Sequence, residues 1–100
     1  MRRTIVRYKA KADLADENQR LIEGVFRELA AKSPSDLRYL VLRLPDGAFV
    51  HIAEASDGAP PMSAFDAFRA FQGGIKERCV EPPDTGAVRV VGNHRMLRDE

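Results

Sequence analysis

The sequence predicts an α+β fold of the ferredoxin-like type, with a four-stranded antiparallel sheet and two helices on one face. Three observations carry that expectation. A strand-like segment, Thr4 to Lys11, precedes a helical stripe; two further strand-like runs flank Pro45-Asp46-Gly47; and an aromatic helical segment leads to a final apolar run, Ala87 to Leu97. The resulting order, β-α-β-β-α-β, is the split βαβ pattern.

In the first strand, Thr4, Val6, Tyr8 and Ala10 alternate with Ile5, Arg7, Lys9 and Lys11. That is the period of a strand, and it leaves open which side meets the helices. Asp13 is placed to cap the first helix, and Asp16 and Glu17 suit the positive end of its dipole. Leu21, Ile22, Val25, Phe26 and Leu29 then recur at helical spacing. The helix should stop by Ser33-Pro34, since the residue before proline disfavours the α region.

Proline presets the first turn position after Leu44, and glycine supplies the positive φ that closes a three-residue hairpin loop. That loop length pairs Leu44 with Ala48, Leu42 with Val50 and Leu40 with Ile52. One face therefore reads Leu40, Leu42, Leu44, Ala48, Val50, Ile52, and its aliphatic character suggests the face that meets the helices. The other reads Tyr39, Val41, Arg43, Phe49, His51, Ala53, with no helix left to cover it. A contiguous apolar patch of that kind is uncommon on a soluble monomer, so a symmetric homodimer packed through the sheet face is expected.

Residues 56–62 read as a loop. Ser63, with Asp66 three residues on, is placed to cap a second helix bearing Phe65, Phe68, Phe71, Ile75 and Cys79 on one side. Gly73-Gly74 should bend or loosen that helix. Glu81-Pro82-Pro83-Asp84-Thr85-Gly86 should end it. Ala87 to Leu97 then forms the last strand, with Gly92-Asn93 as a bulge.

One hundred residues make a single domain, residues 1–100. Sixteen basic and fifteen acidic side chains leave a formal charge of +1, which asks for neither nucleic acid nor an anionic membrane. The Arg2-Arg3 pair and the Arg95/Arg98 tail read as solvated ends. The single cysteine, Cys79, excludes an intrachain disulfide and a cysteine-rich metal site. Two histidines without adjacent carboxylates do not suggest a metal, and no glycine-rich phosphate loop is present. Arg7 and Lys9 interrupt any signal-like apolar run, and nothing approaches the roughly eighteen apolar residues of a membrane span. A cytoplasmic protein without a bound cofactor is expected.

At this level the chain resembles the dimeric α+β barrels of the antibiotic biosynthesis monooxygenase (ABM) type. The likeness lies in the element order over nearly the whole chain. It lies also in Ser63-Ala64-Phe65-Asp66-Ala67-Phe68, continuing through Glu77-Arg78-Cys79 to Pro82-Pro83, and in Val88-Arg89-Val90-Val91-Gly92-Asn93-His94-Arg95. The resemblance implies two facing sheets, with a ligand pocket between sheet and helices in each subunit. Relatives of this type include cofactor-independent monooxygenases acting on polyketide-like aromatics, and haem-degrading enzymes. This chain has no tryptophan, which both groups place in the pocket, and its asparagines are Asn18 and Asn93, neither on the first strand. Haem degradation is therefore not expected, and no catalytic set carries over.

The candidate chemistry rests on the residues themselves. His51 could act as a general base near neutral pH, with Arg43 or Tyr39 donating to the anion formed while oxygen reacts. The competing reading is an interface histidine bonded to a neighbour. Gln72 shares the stripe of Phe68, Ile75 and Cys79 and should point at the sheet, where an unpaired amide would cost about 1–3 kcal/mol. Gln72, Phe68 and Tyr8 are thus the expected pocket lining, with Phe65 and Phe71 as core. Asn93-His94-Arg95 reads as polarity at a strand edge or a pocket mouth. Two functions follow: a cofactor-independent monooxygenase for an aromatic or polyketide-like small molecule, or a non-catalytic ligand-binding or assembly module.

Overall fold

The computed structural model describes residues 2–97; Arg98, the expected end of the basic tail, lies outside them. The strands are β1 (Arg2–Ala10), β2 (Leu37–Arg43), β3 (Ala48–Ala55) and β4 (Cys79–Ala87). The helices are α1 (Ala15–Lys32), α2 (Asp66–Gln72) and α3 (Ile75–Arg78). The sheet is antiparallel throughout, in the order β2-β3-β1-β4. This is the ferredoxin-like arrangement expected from the element order.

The hairpin closes as its loop chemistry requires. Gly47 has φ +89°, the Asp46 carboxylate accepts the Ala48 N–H at 3.0 Å, and the Leu44 N–H bonds the Ala48 carbonyl at 2.8 Å. Leu42 pairs with Val50 and Leu40 with Ile52. The facing of the hairpin, however, is the reverse of that expected. Tyr39, Val41, Phe49 and His51 turn toward the helices, where Phe49 joins Tyr8, Ile22, Val25 and Phe71 in the core. Leu40, Leu42 and Leu44 are instead 45%, 46% and 36% exposed. The physical reason is bulk and pairing. Rings fill the wide space under the helices: Tyr39 stacks on Phe26 with centroids 5.2 Å apart, and Tyr8 on Phe49 at 5.5 Å. His51 on that face bonds to the hydroxyls of Tyr8 and Tyr39.

Three other elements differ from expectation. The last strand is Cys79–Ala87, not Ala87–Leu97, so Cys79 begins a strand instead of extending a helix. The prolines read as a terminator sit on this edge strand, where the Arg7–Asp84 and Lys9–Glu81 pairs enclose an extra residue. An edge strand at a bulge tolerates proline, because no ladder bond is lost there. Beyond it, Asn93 does not lie in a strand; its Oδ1 accepts the N–H groups of Met96 and Leu97, each at 3.0 Å. Ser63 does not cap the second helix. That service comes from Glu28 of α1, whose carboxylate accepts the Ala67 N–H at 2.7 Å while pairing with Lys32. Both contacts, Lys32 first, hold the Glu28 carboxyl below its ordinary range. Gly73-Gly74 interrupts the helix as expected, separating α2 from α3.

Candidate functional site

Between the covered face of the sheet and α2–α3 lies a cavity of about 180 Å³. Tyr8 from β1, Tyr39 from β2 and His51 from β3 line one wall, and Phe68 and Phe71 from α2 the other. Period-two alternation points Tyr8, Tyr39 and His51 the same way, and the pairings Val6–His51 and Val41–His51 set the three strands side by side. Pro83 and Thr85 of β4 close a flank, and exposed Gln72 stands at the rim.

His51 is 5% exposed and lies between the two tyrosines. The Tyr8 hydroxyl contacts its Nε2 at 2.8 Å, and the Tyr39 hydroxyl its Nδ1 at 2.5 Å. Behind Tyr8, the Asn18 Nδ2 donates to the Tyr8 oxygen at 2.8 Å, and the Arg78 Nε donates to the Asn18 Oδ1 at 2.9 Å. Arginine can only donate, so the Asn18 oxygen must face Arg78 and its amide nitrogen must face Tyr8. The Tyr8 oxygen is then an acceptor from Asn18, and its proton is satisfied by donation to His51 Nε2. His51 in turn carries its proton on Nδ1 and donates to Tyr39. The opposite tautomer would leave the proton of Tyr8, 2% exposed, without an acceptor, at a cost of about 1–3 kcal/mol, whereas this one leaves that of Tyr39, which is less deeply buried and faces the cavity. Every donor in the series Arg78, Asn18, Tyr8, His51, Tyr39 therefore points toward the cavity.

Burial also sets the charge state. It pushes the His51 pKa down to about 4, so the ring is neutral at neutral pH. Burial raises both tyrosines above the ordinary phenol value, the Asn18 bond opposing the rise at Tyr8. The Cys79 thiol is also pushed up by burial. These four groups are therefore uncharged at neutral pH, and His51 and the two tyrosines meet a ligand as hydrogen-bonding groups.

Five of the six residues singled out from sequence line this cavity: His51, Tyr39, Tyr8, Phe68 and Gln72. Gln72 does so from an exposed position rather than a buried one. Arg43 does not line it. Its guanidinium lies at the protein surface, bonded to Asp16 at 2.9 Å and Gln19 at 2.7 Å, over the ring of Phe49. Asn18 and Arg78 were not foreseen, although a signal existed. Asn18 precedes Ile22 and Val25 at helical spacing, and Arg78 follows Phe71 and Ile75 likewise, which places both on apolar stripes.

Neither a protein-family model nor a curated protein sequence matches this chain. Solved structures do. Rv0793 from Mycobacterium tuberculosis matches with a TM-score of 0.69 at 11% identity, covering 91% of this chain and 95% of that one. An antibiotic biosynthesis monooxygenase matches at 0.69 and 16% identity, covering 92% of this chain and 100% of that one. A variant of SnoaB, a cofactor-independent oxygenase from Streptomyces nogalater, matches at 0.64 and 15% identity, with 93% and 95% covered. The chain has the ABM-like fold.

No group of three or more His, Cys, Asp or Glu side chains among the described residues could hold a metal. No helix among them is long and apolar enough to cross a membrane.

Proposed function

We propose that this ABM-like protein is a cofactor-independent monooxygenase for an aromatic small molecule bound beside His51. The observation that carries the reading is the convergence of two tyrosine hydroxyls on one buried, neutral imidazole in an aromatic-walled cavity. A cavity of about 150 Å³ accommodates benzene, so one of about 180 Å³ suits a single ring better than a fused polycycle. A phenol unsubstituted opposite its hydroxyl provides a balanced reaction: phenol and O₂ give the para-quinone and water. One oxygen atom enters the ring, the other leaves as water, and the substrate supplies all four electrons. The site's contribution is to hold the ring, accept or relay the phenolic proton, and stabilise the anion that oxygen attacks.

The test is oxygen uptake with para-unsubstituted phenols, following quinone by absorbance. His51→Ala is expected to lower turnover by about 10²-fold or more. Near-normal turnover in that variant would remove His51 from the chemistry.

A second reading, a non-catalytic ligand-binding module, is favoured by the engagement of both imidazole nitrogens and by the low basicity of His51. Saturable phenol binding without oxygen uptake would select it. Under either reading we place the protein in the cytoplasm as a homodimer. Support for the dimer is the outer sheet face, where Leu40 and Leu42 are nearly half exposed next to Ile52 and Val50.

A further inference from the structure

Arg78 is a buried cation with no anionic partner among the described residues. It is 8% exposed, and its side chain donates to the Asn18 amide oxygen and to the Phe71 carbonyl, with its guanidinium over the Phe71 ring at 5.4 Å. All three partners are neutral. Among the described residues no carboxylate forms an ion pair with it. A guanidinium is removed from water at a large cost, and buried charges are ordinarily paired. With the His51 proton on Nδ1, the hydrogen-bond series from Arg78 ends at the Tyr39 hydroxyl, whose proton then has no acceptor among the described residues.

These two loose ends, an unpaired cation at one terminus and an unused donor at the other, are satisfied together by a negative oxygen in the cavity. Resting on the proposed aromatic-ligand reading, we infer that the cavity selects its phenol as the phenolate, with Arg78 and Asn18 acting as positioning residues. The ligand oxygen accepts from Tyr39. Arg78 supplies the positive charge, and Asn18, Tyr8 and His51 align their dipoles so that the positive end of each faces the ligand. Asn18 has a second role: its oxygen, fixed by Arg78, is what compels the amide to donate to Tyr8 and so sets the direction of the series. The groups facing this region are Tyr8, Tyr39, His51, Cys79 and Arg78, with Lys11 beyond Cys79. None contributes a negative charge at neutral pH, so nothing local opposes an anion.

The probe is 4-nitrophenol, a single ring whose anion is coloured, so its ionisation is read directly while bound and without turnover. Bound to the wild-type protein it should ionise about one pH unit lower than in solution, a tenfold shift toward the anion. In Arg78→Met the shift should vanish, and Arg78→Lys should restore part of it. Asn18→Asp keeps the side-chain volume and so tests the same idea should Arg78→Met not fold. A carboxylate at position 18 would neutralise Arg78 and turn the Tyr8 proton away from His51, returning ionisation to the solution value or above. Bound probe ionising at or above its solution value in the wild type would overturn the inference and leave the pocket reading intact. So would an undiminished shift in a folded Arg78 or Asn18 variant. Absence of saturable binding would overturn both.

Discussion

An imidazole bonded at both nitrogens to tyrosine hydroxyls, with little water around it, resists a second proton. In the unfolded chain His51 should titrate near the ordinary value of 6.5, whereas folding pushes it down to about 4. Below about pH 6.5 the unfolded state therefore takes up a proton that the native state refuses. Stability should fall as pH drops through the window from about 6.5 to about 4, by roughly 3 kcal/mol from this group, and it should be fully present above the window. Denaturant unfolding of the wild type and of His51→Gln across that range measures it; an identical pH slope in both would contradict the assignment. The chemistry of His51 was legible because an ionisable ring stood among apolar alternation. Tyr39 was named beside it from the hairpin and Tyr8 as pocket lining, but the bond from Tyr8 and the support from Asn18 and Arg78 were not legible, since these residues are distant along the chain and only the fold brings them together.

At the scale of elements, local rules with a fixed geometry were the reliable ones. A three-residue loop fixes hairpin register, and the pairs Leu40–Ile52 and Leu42–Val50 followed from Pro45-Asp46-Gly47 alone. Gly47 carries that turn at φ +89°, where an added Cβ would also approach the Ala10 carbonyl at 3.4 Å. Gly47→Ala should cost about 1–2 kcal/mol, measured as a lower unfolding midpoint with an unchanged denaturant slope. Alternation says which residues share a face, not which face is covered. The aliphatic face has the simpler core composition, yet the mixed face is covered because its rings match the depth beneath the helices. β4 was missed for a related reason. Pro82-Pro83 signals a break in a helix or a central strand, but it is compatible with a bulged edge strand, and edge position is a property of the assembled sheet.

On the scale of the whole molecule, the sheet divides two tasks. Its inner face builds an aromatic cavity with a directed series of hydrogen bonds, and its outer face leaves Leu40, Leu42 and Leu44 in contact with solvent. The dimer is thus expected through the aliphatic face, so Leu42→Glu should give monomers by light scattering while leaving 4-nitrophenol binding in place. A monomeric wild type at micromolar concentration would remove the sheet-face dimer. Function is proposed to reside on the inner face, and His51 reports on it most directly. In a His94→Gln background a single imidazole remains, and its two nitrogens can be read by nitrogen NMR at neutral pH. A neutral ring with the proton on Nδ1, shifted when 4-nitrophenol is added, is the predicted result. An imidazolium, or a proton on Nε2 with no response to the phenol, would contradict it.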